Sequence, residues 1–158
     1  MRRYVQRDSP VKIKLVVAIL TLFFSQITSA CRCEGLSPED AIDSSKAIMI
    51  VYVVETKVKE IPDNIFGSGG QVILLEAKFK TLETLKSSKE PINTIRSIGS
   101  CGMPIMAGKK YYVSIPIEGS IENLISVCTG SFQIWESDKK KLKELRQIVH
   151  NKSLKQDK

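Results

Sequence analysis

Histidine is almost absent from this chain: among 158 residues there is one, His150. A general base needs a positioned partner, and His150 falls where a polar stretch, 151–158, begins. There is no HExxH pair, no Gly-rich phosphate loop and no His-Asp-Ser arrangement. The residues therefore give no reason to expect an enzyme or a cofactor. Aromatic residues are scarce at 6% and none interleaves with Lys139, Lys140 and Lys141, so a nucleic-acid surface built on stacked bases is not expected. The basic run leaves extracellular polyanions as a partner class. There is no Pro- or Gly-rich linker, internal repeat or low-complexity tract. No apolar run approaches the roughly 20 residues of a bilayer-spanning helix.

The longest apolar run, Leu15 to Phe24, follows Arg2, Arg3, Arg7, Lys12 and Lys14 and precedes Thr28-Ser29-Ala30. A charged segment, a short apolar segment and a small-residue cleavage site, in that order, predict a secretory signal over residues 1–30. The mature chain then starts at Cys31, is secreted, and is extracellular, or periplasmic in a Gram-negative host. Of the formal charge of +7, the signal takes five basic residues and one acidic residue. The remaining 128 residues carry +3 and make one ordinary domain, 31–150, followed by the polar tail 151–158.

All four cysteines, Cys31, Cys33, Cys101 and Cys128, lie in the mature part. An oxidising compartment predicts two disulfides and no free thiol. Of the three pairings, one closes a very small ring between Cys31 and Cys33. The other two tie the first residues to points about seventy and a hundred residues away, which removes more unfolded-state entropy, on the order of 4 kcal/mol per bridge. The residues alone do not choose between those two.

Ser37-Pro38-Glu39-Asp40 has a capping residue, a proline at the first helical position and two acids in the first turn, and predicts a short helix through Ala41 and Ile42. Ala47 to Val58 is dense in β-branched residues and reads as a central strand. Pro62-Asp63-Asn64 and Gly67-Ser68-Gly69-Gly70 signal a turn. From Gln71 to Leu85 the residues Leu75, Ala77 and Phe79 alternate with Glu76, Lys78 and Lys80, giving a strand with one buried and one wet face. Shorter strands are expected over Ile92–Ile98, Lys110–Ile115 and Leu124–Cys128. After Trp135 the period changes: from Asp138 to Val149, Leu142, Leu145, Ile148 and Val149 recur at helical spacing. The expectation is a mainly β domain, a small five-stranded barrel with a short N-terminal helix and a terminal helix packed against it.

Cys31-Arg32-Cys33 directly behind a signal, Ser100-Cys101-Gly102, and Cys128 at the end of a late strand together resemble the tissue inhibitors of metalloproteinases. The likeness covers residues 31 to 149. It implies a netrin-like, OB-fold barrel in single-domain form, with bridges joining Cys31 to Cys101 and Cys33 to Cys128. It also implies an inhibitory edge made of Cys31, Arg32, Cys33, Glu34, Ser100 and Cys101, with zinc metalloproteases, matrix-degrading or disintegrin-type, as partners and a monomeric state. The chain departs from the family pattern in having no cysteine for a third bridge, Glu34-Gly35 in place of prolines, and Arg32 where a small or hydroxylated residue is usual.

The implied mechanism is chelation: the α-amine and carbonyl of Cys31 bind the catalytic zinc of the target and displace its water. The amine has a reference pKa of about 7.7 to 8.0, so it binds metal at neutral pH with small proton cost. The chain needs no metal of its own. A secreted netrin-like module that binds protein or matrix without inhibiting is the alternative. Thr28-Ser29-Ala30-Cys31 also allows a lipoprotein signal that acylates Cys31, although it lacks the usual leucine three residues before the cysteine. Asn151-Lys152-Ser153 is a glycosylation sequon.

Overall fold

One strand of eighteen residues, β1 (Ser45–Pro62), organises the chain. The computed structural model describes residues 36–62, 70–99 and 102–156, all within one compact unit. The expectations for the signal, for Cys31 to Glu34, and for Ser100 and Cys101 lie outside the described residues.

The first half of β1 is apolar on both faces because both are covered. Ala47, Met49, Val51 and Val53 point into a cluster with Ala77, Ile95, Val113 and Ile125. Ile48 and Ile50 point the other way, into a second cluster with Tyr112, Leu142, Leu145 and Val149. Strand geometry sends successive side chains to opposite faces, so a continuous apolar run is what a strand between two layers requires. From Ile48 to Pro62, β1 pairs with β2 (Gln71–Lys86) as a long antiparallel hairpin. In β2, Ala77 is buried and Leu75 and Phe79 pack beside it, while Lys78 and Lys80 face water, as the alternation predicts.

Strands β3 (Thr94–Ile98) and β4 (Lys110–Pro116) flank the hairpin, and β5 is two residues, Phe132–Gln133. The order is β3-β2-β1-β4-β5 with every neighbour antiparallel. The five-stranded antiparallel sheet is therefore present, but it does not close into the expected barrel. The expected strand Leu124–Cys128 is the reason. Ser126 and Thr129 exchange backbone and side-chain hydrogen bonds, which winds Val127–Thr129 into a 3-10 turn ended by Gly130 at φ 81°. Ser and Thr side chains compete here with the sheet ladder, and a left-handed glycine ends the turn without steric cost.

Helix α1 (Pro38–Asp43) is capped as predicted: the Ser37 hydroxyl accepts from Asp40 N at 3.1 Å. Helix α2 (Lys139–Gln156) buries Leu142, Leu145 and Val149 against the second cluster. Tyr112 and Phe132 stack under it with centroids 5.1 Å apart, and Lys141 Nζ sits 3.6 Å over the Phe132 ring. The helix runs past Val149 to Gln156, so the expected polar tail is helical through that residue. No proline or glycine interrupts 150–156, and Lys152 Nζ donates to Glu39 O at 2.9 Å and pairs with Asp43. His150 and Asn151 are exposed positions on this helix. Among the described residues no helix is long and apolar enough to cross a membrane.

Candidate functional site

The described residues that border the predicted cysteine edge converge on one cleft. Gly102, the residue after Cys101, forms an antiparallel bridge with Ser126, two residues before Cys128. The chain leaving Cys101 is therefore laid against the chain approaching Cys128. Gly102 is required there by space: a Cβ would overlap the carbonyl oxygen of Ile98 and the hydroxyl of Ser97. Beyond it Met103 and Ile105 are buried in the first cluster, and Met106 N donates to the Tyr111 hydroxyl at 2.9 Å. Burial raises the Tyr111 phenol above its ordinary value, so it stays protonated as a fixed anchor.

Between this segment, the start of β2 and the end of β3 lies a cleft of about 570 Å3. Val72, Ile73, Ile98, Leu124 and Ile125 line it with Cys128, and none of its described lining residues is charged. Ile73 is 58% exposed, an apolar side chain held at the mouth of an apolar recess. Cys128 is not a free thiol. Of the expected pairings, Cys31 with Cys101 and Cys33 with Cys128, every member except Cys128 lies outside the described residues.

Arg96 on β3 donates through Nε to Glu76 Oε2 at 3.0 Å and through NH1 to Glu122 O at 3.1 Å. Glu76 also accepts from Lys59 at 2.8 Å. Hydrogen bonds from Lys59 and then Arg96 hold the Glu76 carboxyl below the ordinary carboxylate value. Asn123, at φ 54°, turns the chain so that its carbonyl accepts from Arg96 N at 3.0 Å, and Ile125 N donates to Arg96 O at 2.7 Å. Asparagine is among the few residues that adopt that conformation readily.

Sequence reasoning missed Arg96, Glu76 and Asn123. Their pairing depends on the register of β2 with β3, in which Glu76 stands opposite Arg96, and no local pattern carries that register. The basic run of α2 is exposed, with Lys141 engaged on Phe132. The Asn151 sequon lies on the helix surface, with the Ser153 hydroxyl donating to His150 O at 2.8 Å. No protein-family model and no curated protein matches the chain.

Proposed function

We propose that the mature chain is a secreted, single-domain, non-enzymatic inhibitor of zinc metalloproteases, in which the free α-amine and carbonyl of Cys31 chelate the catalytic zinc of the target. The observation that carries this reading is the Gly102–Ser126 bridge. It brings the neighbours of Cys101 and Cys128 to one edge, which is what two bridges from a Cys-x-Cys start to Cys101 and Cys128 would require. Pinning both cysteines would fix the first residue rigidly enough to serve as a bidentate metal ligand. The cleft beside Cys128, with no charged residue among its described lining, supports the second reading, a netrin-like module that binds a protein or matrix component through an apolar recess.

The test compares correctly processed protein with the same protein acetylated at its α-amine, against a panel of matrix-degrading and disintegrin-type metalloproteases. An amide nitrogen has a delocalised lone pair and does not ligate zinc. Inhibition by the free-amine form alone supports chelation. Equal potency, or equal inertness across the panel, transfers the assignment to the binding module.

A further inference from the structure

The open sheet raises the question of what holds the Glu122–Cys128 segment in place. A closed barrel would bind it to β3 by a ladder. Here the described residues show one parallel bridge, Arg96 with Leu124, carried by the Asn123 carbonyl and the Ile125 amide on either side of the Arg96 backbone. Further along, Ser126 is bridged to Gly102, and the Arg96 side chain adds a fork that spans from the Glu76 carboxylate on β2 to the Glu122 carbonyl on the segment. Its side chain is 24% exposed and that of Glu76 15%, so these charge-assisted bonds are partly shielded from water and stronger than surface pairs. The Glu122 carboxylate, at 3.5 Å and 69% exposed, adds little.

We propose that Arg96 is a positioning residue: an ionic clasp that, in place of a strand ladder, sets the width of the apolar cleft and the placement of the chain leading into Cys128. Leu124 and Ile125 of the segment line that cleft together with Val72 and Ile73 of β2 and Ile98 of β3. The clasp joins those two strands to the segment. Lysine does not replace this arginine, because one ammonium cannot bridge carboxylate and carbonyl with fixed fork geometry. The consequence for inhibition rests on the proposed function, whereas the clasp itself does not.

The experiment measures amide hydrogen exchange at Ile125 and at Val113, in the middle of β4, in the wild type, Arg96→Lys and Arg96→Met, alongside inhibition of any protease that the wild type inhibits. Loss of hydrogen bonds to a charged group predicts exchange at Ile125 faster by roughly tenfold or more in Arg96→Met, with Val113 unchanged. Arg96→Lys falls between. A residue with only a general structural role would accelerate both amides together, and that result, or no change at Ile125, overturns the clasp. If Arg96→Met does not fold, Glu76→Gln gives the same comparison. Inhibition that is weakened in step with Ile125 exchange links clasp and edge, and unchanged inhibition with an opened clasp breaks that link. If the wild type inhibits nothing, the proposed function fails while the exchange result still decides the clasp.

Discussion

Gly102 lies against the carbonyl of Ile98 so closely that its α-carbon has no room for a side chain. This contact joins the end of β3 to the chain that follows Cys101, and Gly102 is then paired with Ser126 on the other side. Gly102→Ala must push two backbone segments apart. Overpacking of this kind costs about 1–3 kcal/mol, and urea denaturation should show a lower midpoint with an unchanged slope. Gly119→Ala is the control, since a Cβ there meets only ordinary contacts, and it should leave the midpoint nearly unmoved.

The second layer depends on α2. Leu145 is 8% exposed and packs in the cluster with Ile48, Ile50 and Tyr112. Leu145→Ala should cost about 2–5 kcal/mol through lost transfer energy and a residual cavity, read by thermal or chemical denaturation. Truncation after Val149 should also destabilise, because it removes Lys152 and its bonds to Glu39 and Asp43 on α1. A protein indifferent to that truncation would show that residues 150–156 add nothing to the packing of the two helices.

Much of this architecture is legible in the residue order. The two-sided apolar run of β1 and the alternation of β2 each report local geometry, and the helical stripe of Leu142, Leu145 and Val149 reports the layer above the sheet. What the sequence hides depends on competition or on register. Leu124–Cys128 has strand composition, but the Ser126–Thr129 cap and Gly130 divert it into a turn, and with it goes barrel closure. Asp138 to Val149 gives the stripe but not the helix end, since His150 to Gln156 includes no breaker. Arg96 opposite Glu76 is a cross-strand fact. The inhibitory edge is what the resemblance implies, and its residues, Cys31 to Glu34 with Ser100 and Cys101, lie outside the described ones.

Arg146 and Glu83 form a two-pronged pair, Nε at 2.9 Å and NH2 at 2.6 Å, tying α2 to β2. The hydrogen bonds from Arg146 hold the Glu83 carboxyl below its ordinary value of 4.5. A carboxyl whose folded value is depressed adds stability above its unfolded value and loses it as pH falls through the folded one. Both side chains are more than a third exposed, so the contribution at neutral pH is at most about 1 kcal/mol and shrinks in salt. Glu83→Gln should therefore lower stability slightly at pH 7 and make the loss of stability below pH 4.5 shallower. Denaturation midpoints measured from pH 7 to pH 3 in both proteins check the sign.

If Cys31 binds zinc, Arg32 enters the adjoining specificity pocket of the target. An unpartnered guanidinium in an apolar pocket is costly, on the order of several kcal/mol. Arg32→Leu should then tighten inhibition of proteases with apolar pockets and weaken inhibition of any protease with an acidic one. Inhibition constants for the two forms across the panel give the sign for each target. No change against any of them would place Arg32 outside the pocket.

The most direct test of chelation watches the metal itself. A target protease with cobalt in place of zinc reports its ligand field in the visible spectrum, and replacement of the metal-bound water by an amine and a carbonyl changes that field. Processed protein beginning at Cys31 should shift the cobalt bands in proportion to inhibition, and the same protein with one alanine before Cys31 should leave them as they are. A processed protein that inhibits the cobalt enzyme fully without moving its spectrum would contradict zinc chelation by Cys31.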